Sequence, residues 1–214
     1  MKPVIVINFK TYPEATGAKA EALAKICDDV ARECKADIRV AVQAADIYRV
    51  AKSVKIPVYA EHVDPITPGR NTGYILPEAV KAEGAIGTLL NHSEHRLDEK
   101  TLEASVDAAK KAGLKVIICA PTPEAGAHAA LLKPEFVAVE PPELIAGKVS
   151  VSEAEPEVIT KSVKLVKAPL LVGAGIHERK DVEIAVKLGA KGVLLASDIT
   201  TAKDPEKELR ELCG

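Results

Sequence analysis

The chain has 214 residues, enough for one large domain or two small ones. Hydrophobic residues at 47% and charged residues at 28% suit a soluble globular protein with a sizeable core. A net charge of −2, from 29 basic and 31 acidic residues with no block of like sign, leaves no electrostatic footprint for nucleic acid or an anionic membrane.

No apolar run approaches the roughly 20 residues that span a bilayer. The apolar part of Met1–Asn8 is too short for a secretory signal, so a cytoplasmic location is expected. Cys27, Cys34, Cys119 and Cys213 are scattered and form no CxxC pair, so neither a zinc site nor a disulfide framework is expected. Asparagine, glutamine and methionine are scarce, tryptophan is absent, and Lys and Glu are plentiful. That balance points to a thermophilic source.

The first strand is expected at Val4–Ile7, followed by a helix over Ala18–Cys34 with its apolar residues at helical period. A strand at Ile38–Val42 leads to a short helix at Ala44–Ser53, and a third strand follows at Pro57–Ala60. The connection His62–Leu76, with Thr67-Pro68-Gly69 and Asn71-Thr72-Gly73, is long enough to suggest a function of its own. Then come a short helix at Pro77–Glu83, a strand at Ala85–Leu90, and a helix over Asp98–Ala112 stopped by Gly113. A strand at Lys115–Cys119 and a helix at Glu124–Leu132 precede the strand Phe136–Val139. The helix Ser152–Val166 opens near a capping box. Strand Leu170–Gly173, helix Arg179–Leu188, strand Gly192–Ala196 and helix Asp204–Leu212 complete the chain.

Most of these strands are continuously apolar rather than alternating, as in a parallel sheet buried on both faces. Eight strand–helix units without a low-complexity linker predict one α/β domain over residues 1–214. Both an open doubly wound sheet and a closed barrel suit such repeats. A last strand followed by one last helix favours the single (β/α)8 barrel. The chain is short for that fold, so shortened helices are expected, above all after strands 5 and 6.

In a barrel, chemistry gathers where strands end. Those positions hold Asn8-Phe9-Lys10, Asn91-His92-Ser93-Glu94, Glu140-Pro141-Pro142, Gly173-Ala174-Gly175 and Ala196-Ser197. One cation, one imidazole and one carboxylate face two small-residue turns whose N–H groups can cradle a phosphate. That is equipment for removing a proton beside a carbonyl. Taken singly, each residue also has a structural explanation: Lys10 as a solvated lysine, His92 as a satisfied core histidine, Glu140 as a helix N-terminal acid. Cys119 reads as a buried structural thiol. His92 and His95 have metal-like spacing, but no third ligand lies nearby in sequence, and no metal is expected.

Together the motifs resemble the three active-site signatures and two phosphate turns of the triosephosphate isomerases, in the right order along the full chain. The resemblance is to the short archaeal type of this TIM-barrel family. It implies interconversion of dihydroxyacetone phosphate and D-glyceraldehyde 3-phosphate through an enediolate, in glycolysis and gluconeogenesis, with no cofactor. It implies that Lys10 stabilises negative charge with Asn8 and Phe9 beside it, that His92 polarises the carbonyl, and that Glu140 is the base. Glu94 would stand behind Lys10, and Ile145, Gly175, Ala196 and Ser197 would bind phosphate. Ser93–Arg96 is expected to begin a helix that aims its positive end at His92. Pro141–Lys148 is expected to be a lid, with Glu143 where many members carry tryptophan. The loop His62–Leu76 would insert into a neighbouring subunit, implying a homo-oligomer, dimer or tetramer. A Schiff-base aldolase would need a lysine where strand 6 offers Glu140. A mere phosphate binder would need no base.

Overall fold

The computed structural model describes residues 2–141 and 156–214. Its strands are β1 (Val4–Asn8), β2 (Asp37–Val42), β3 (Val58–Ala60), β4 (Gly87–Leu90), β5 (Lys115–Ala120), β6 (Phe136–Val139), β7 (Leu170–Gly173) and β8 (Gly192–Leu195). They pair in sequence order, all parallel, and β8 returns to β1 to close the barrel. Val4 faces Gly192 and Ile7 faces Leu195 across that seam.

Successive side chains of a strand point to opposite faces. Closure gives those faces different surroundings. Val4, Val6, Ala41, Tyr59, Leu89, Ile117, Cys119, Phe136, Ala138, Leu171 and Leu194 fill the inside of the barrel. The alternate residues, such as Ile5, Ile7, Val40, Ile118, Val137 and Val193, pack outward against the helices. Both faces are dry, which is why the strands read as unbroken apolar runs.

The amino ends of the strands are closed by a polar plug. Arg39 donates to Asp37, to Tyr59 Oη and to Glu135, while Tyr59 Oη donates to Glu135 at 2.6 Å. The guanidinium also lies 5.1 Å from the centre of the Phe136 ring. Buried polar groups are tolerable when partnered in this way. The plug seals the end of the barrel opposite the candidate site.

The helices are α1 (Ala18–Cys34), α2 (Ile47–Ser53), α3 (Pro77–Ala82), α4 (Glu99–Lys111), α5 (Pro123–Ala130), α6 (Pro156–Leu165), α7 (Arg179–Lys187), α8 (Ser197–Thr200) and α9 (Pro205–Cys213). Asp98, Thr122 and Asp204 accept the N–H of the third residue beyond them and cap α4, α5 and α9. The segment Ala44–Ser53 splits into a 3-10 turn at Ala44–Asp46 and then α2. The shortened helices include α2 with 7 residues, α3 with 6 and α5 with 8. The predicted opening of a helix at Ser152 lies outside the described residues. Among the described residues no helix is long and apolar enough to cross a membrane.

A methyl group at Gly192 would land on the Val4 carbonyl oxygen, on the strand across the closing seam. Two paired backbones cannot relax as a side chain can. Gly192→Ala is therefore expected to lower the unfolding free energy by about 3 kcal/mol. A urea titration reads this directly, and an unchanged midpoint would contradict the tight seam.

Candidate active site

The same period of two continues past the strand ends. Asn8, Glu61, Glu140, Gly173 and Ala196 lie two residues beyond Val6, Tyr59, Ala138, Leu171 and Leu194, all inside the barrel. They form the next layer, at the carboxyl rim. Residues such as Lys10 and His92 reach the same rim only because the chain leaves strand geometry.

Lys10 adopts a left-handed backbone, with φ of +50°. The Asn8 carboxamide oxygen accepts the Lys10 N–H at 3.1 Å and holds that bend. The Lys10 side chain is largely buried, and its Nζ lies 2.8 Å from Glu94 Oε1. Phe9 departs from the expected role beside the substrate. It is completely buried in the layer between barrel and helices, because it continues the outward parity of Ile5 and Ile7.

At the end of β4, Asn91 has φ of +60°. Asparagine tolerates this region better than most residues. Its side chain donates to the Cys119 carbonyl at 2.9 Å and accepts the Leu97 N–H at 3.0 Å. Arg96 donates to its carbonyl oxygen. Asn91 thus turns His92 into the barrel mouth and ties the turn to β5, a role the sequence gives no sign of beyond the residue type.

The helix expected directly after His92 does not form. Residues 93 and 94 make a turn, with His95 N–H donating to the His92 carbonyl, and α4 begins only at Glu99. The Glu94 amide donates instead to His92 Nδ1 at 3.2 Å. An amide N–H can only donate, so Nδ1 must carry a lone pair. The ring proton of His92 therefore sits on Nε2, the nitrogen that faces Glu140. One backbone amide does what the expected helix terminus was to do.

Glu140 is buried, with Oε1 3.9 Å from His92 Nε2. Its Oε2 has no hydrogen-bond partner among the described residues. Gly173 makes room for it: a methyl there would lie 2.5 Å from Glu140 Cγ. Cys119 packs beside the carboxyl. Burial first, and the Glu140 charge second, hold its thiol protonated well above the ordinary range. Cys119 is consequently no nucleophile.

Ala174 and Gly175 both have positive φ, +73° and +65°. They carry the turn after β7 over the cleft, and Gly173 belongs to the Glu140 wall rather than to this turn. After β8, Ala196 leads into the four-residue α8, which the sequence does not signal. Gly175, Ala196 and Ser197 line a cleft of about 270 Å³ together with Asn8, Lys10, His92 and Glu140. That volume suits a small ligand. His177 and Asp198, unremarked in the sequence, line it as well. Ile145 and the segment after Pro141 lie outside the described residues.

A second cleft of about 400 Å³ opens behind Lys10 and His92 and is lined also by Glu61, His62, Ile75 and His95. The rings of His62 and His95 lie in contact, with centres 4.2 Å apart and planes tilted by 39°. Among the described residues no group of three His, Cys, Asp or Glu side chains is placed to hold a metal. The loop 62–76 lends His62 and Ile75 to the wall of this cleft and is closed at its base where Asp64 bonds Ile75 twice. Residues 67–70 and 72–74 are exposed.

Burial pushes the Glu61 carboxyl up to about 8, opposed by the Lys10 backbone and aided by Glu94 and Asp46. In the unfolded chain it ionises near its ordinary 4.5. Between those values the folded state holds the extra proton, so this group's contribution to stability falls as pH rises from about 4.5 to about 8. Glu61→Gln is expected to flatten that slope in urea titrations at pH 5, 6.5 and 8, stabilising the protein most at pH 8. An identical slope in the variant would sink the assignment.

A family model described as triosephosphate isomerase matches residues 3–213. The triosephosphate isomerase of Methanobacterium bryantii is 46% identical over 215 residues, covering 98% of this chain and 95% of its own. That of Methanocaldococcus jannaschii is 45% identical over 214 residues, covering 98% of each. The crystal structure of triosephosphate isomerase from Bartonella henselae superposes with a TM-score of 0.77 over 100% of this chain and 98% of its own, at 17% identity, a likeness of fold. With the closed barrel and the rim residues in place, the chain belongs to the triosephosphate isomerase family and interconverts dihydroxyacetone phosphate and D-glyceraldehyde 3-phosphate.

Proposed function

We propose that Glu140, His92 and Lys10 carry this reaction, in that order of chemical involvement. Glu140 takes the proton from the carbon beside the carbonyl and returns it to the neighbouring carbon. His92 donates from Nε2 to the substrate oxygen as charge develops there, then moves that proton between the two oxygens. Lys10 supplies a fixed positive charge to the enediolate and phosphate. The observation that carries the reading is the buried Glu140 carboxyl, with one oxygen unpartnered among the described residues and the other 3.9 Å from His92 Nε2. A buried carboxylate oxygen without a partner is costly and is tolerated where a substrate supplies the missing contact.

Gly175, Ala196 and Ser197 bind the phosphate through the turn between β7 and α7 and the first residues of α8, with Ile145 contributing from the segment beyond Pro141. Asn8 fixes Lys10, and Glu94 stands behind it at 2.8 Å. Phe9 supports the site from the core rather than by contact. The enzyme works in the cytoplasm, in glycolysis and gluconeogenesis.

A coupled assay on chelator-treated protein tests the roles. Glu140→Gln keeps the side-chain shape but removes the base, and kcat is expected to fall about 10³-fold. Loss of less than tenfold would mean that the base lies elsewhere.

We further propose that the protein is a homo-oligomer, dimer or tetramer, in which the exposed tip of the loop 62–76 enters the second cleft of a neighbour. Support comes from the cleft's shared wall: Asn8, Lys10 and His92 line both openings. Light scattering is expected to give a multiple of the 22.6 kDa chain mass. Thr72→Arg should lower mass and kcat together, and full activity in a monomer would overturn this reading.

A further inference from the structure

The second cleft holds a carboxyl that the catalytic roles leave unused. Glu61 continues the inward parity of Tyr59 and lines this cleft beside Lys10 and Glu94. Its Oε1 is hidden from solvent and has no hydrogen-bond partner among the described residues. A buried polar atom of this kind is costly unless something further supplies the contact.

The loop 62–76 is shaped in advance of any contact at its tip. Beyond the Asp64 and Ile75 closure, the Asn71 side chain donates to the Thr67 carbonyl at 2.6 Å, and the Tyr74 N–H donates to the Asn71 carbonyl at 3.1 Å. Yet Arg70, Thr72, Gly73 and Tyr74 are exposed, Tyr74 at 62%. A tip ordered beforehand loses little entropy on docking. Residues 67–74 carry one cation, Arg70, and no acid, whereas the cleft presents Glu94 at 58% exposed. The two surfaces are therefore complementary in charge.

Resting on the reading that this tip enters the second cleft of a second copy, we propose that Glu61 is the polar anchor of that interface, its protonated carboxyl donating a hydrogen bond to a backbone carbonyl of the neighbour's loop tip. An ionised carboxylate can only accept, so the proton is what makes this bond. Burial, above all, pushes the Glu61 carboxyl up to about 8 in the single subunit, so the donor is in place at neutral pH before a neighbour arrives. Insertion of the tip removes further solvent and disfavours the charged form more strongly.

The groups packed around Glu61 do not reverse this. Asp46, from the turn after β2, and Glu94, from the turn after β4, both oppose its ionisation. The Lys10 backbone and ammonium favour it, but the ammonium is held by Glu94 at 2.8 Å. His62 is kept below the ordinary imidazole range by burial first, with Asp64 opposing and the neighbouring His95 adding to it. His92, on the same wall, has Nδ1 occupied by the Glu94 amide. In a reciprocal interface each copy contributes one loop and one cleft, so two such anchors act together.

Sedimentation equilibrium tests this through the dissociation constant of the oligomer, measured at constant ionic strength from pH 7 to pH 9 for the wild-type protein, Glu61→Gln and Glu61→Leu. In the wild type that constant should rise about a hundredfold, about tenfold for each of two carboxyls. Glu61→Gln keeps the shape and an N–H donor but does not ionise, so it should assemble at least as tightly at pH 7 and lose most of the rise. Glu61→Leu removes the donor and should weaken assembly at least tenfold at pH 7. No rise in the wild type, or an equal rise in Glu61→Gln, would overturn the anchor while leaving the interface in place. Glu61→Leu assembling as tightly as Glu61→Gln would also overturn it, because the hydrogen bond would then be dispensable. A wild-type protein that is monomeric at pH 7 at every concentration would instead overturn the loop reading, and this inference with it.

Discussion

Closure of β8 on β1 is the constraint from which the site follows. It converts the two-residue alternation of each strand into a fixed choice between inside and outside. Val6, Ala138, Leu171 and Leu194 are inside, so Asn8, Glu140, Gly173 and Ala196 must follow them one layer higher. Eight strands then deliver their end residues to one rim without any direct contact between those residues being specified. The Arg39, Tyr59 and Glu135 plug closes the other end and leaves that rim as the place where a ligand can enter.

Parity alone would not make the site. Lys10, Asn91 and Ala174 have left-handed backbones although none is glycine. Each marks a point where the chain departs from strand geometry to re-aim what comes next. Asn8 stabilises the first bend through the Lys10 amide, and the Asn91 side chain stabilises the second by bonding to Cys119 and Leu97. Such conformations cost free energy and persist where surrounding bonds over-determine them. The result for His92 is specific: its Nδ1 is occupied by the Glu94 amide, and its proton points toward Glu140.

Glu140 is held by an absence of bulk as much as by contacts. Gly173 supplies space and Cys119 a protonated, inert wall. A larger residue at 173 would collide with the Glu140 side chain. The site thus depends on the size of residues that carry no chemistry, beside the few that do.

Strand positions were legible in the sequence to within two residues, because continuous apolar runs are a local consequence of burial on both faces. Lys10, His92 and Glu140 were legible as a set because each follows a strand, and barrel strands end at one rim. Burial of Phe9 follows from the parity of β1, which is known only once the inside face is known. The missing helix after His92, the short α8, the second cleft behind Lys10 and the meeting of His177 with Asp198 left no local pattern. The sequence by itself determined the eight repeating units and the chemical types at their ends. Tertiary structure decided which of those residues touch, since a distance across a closed sheet depends on register and closure rather than on neighbours along the chain.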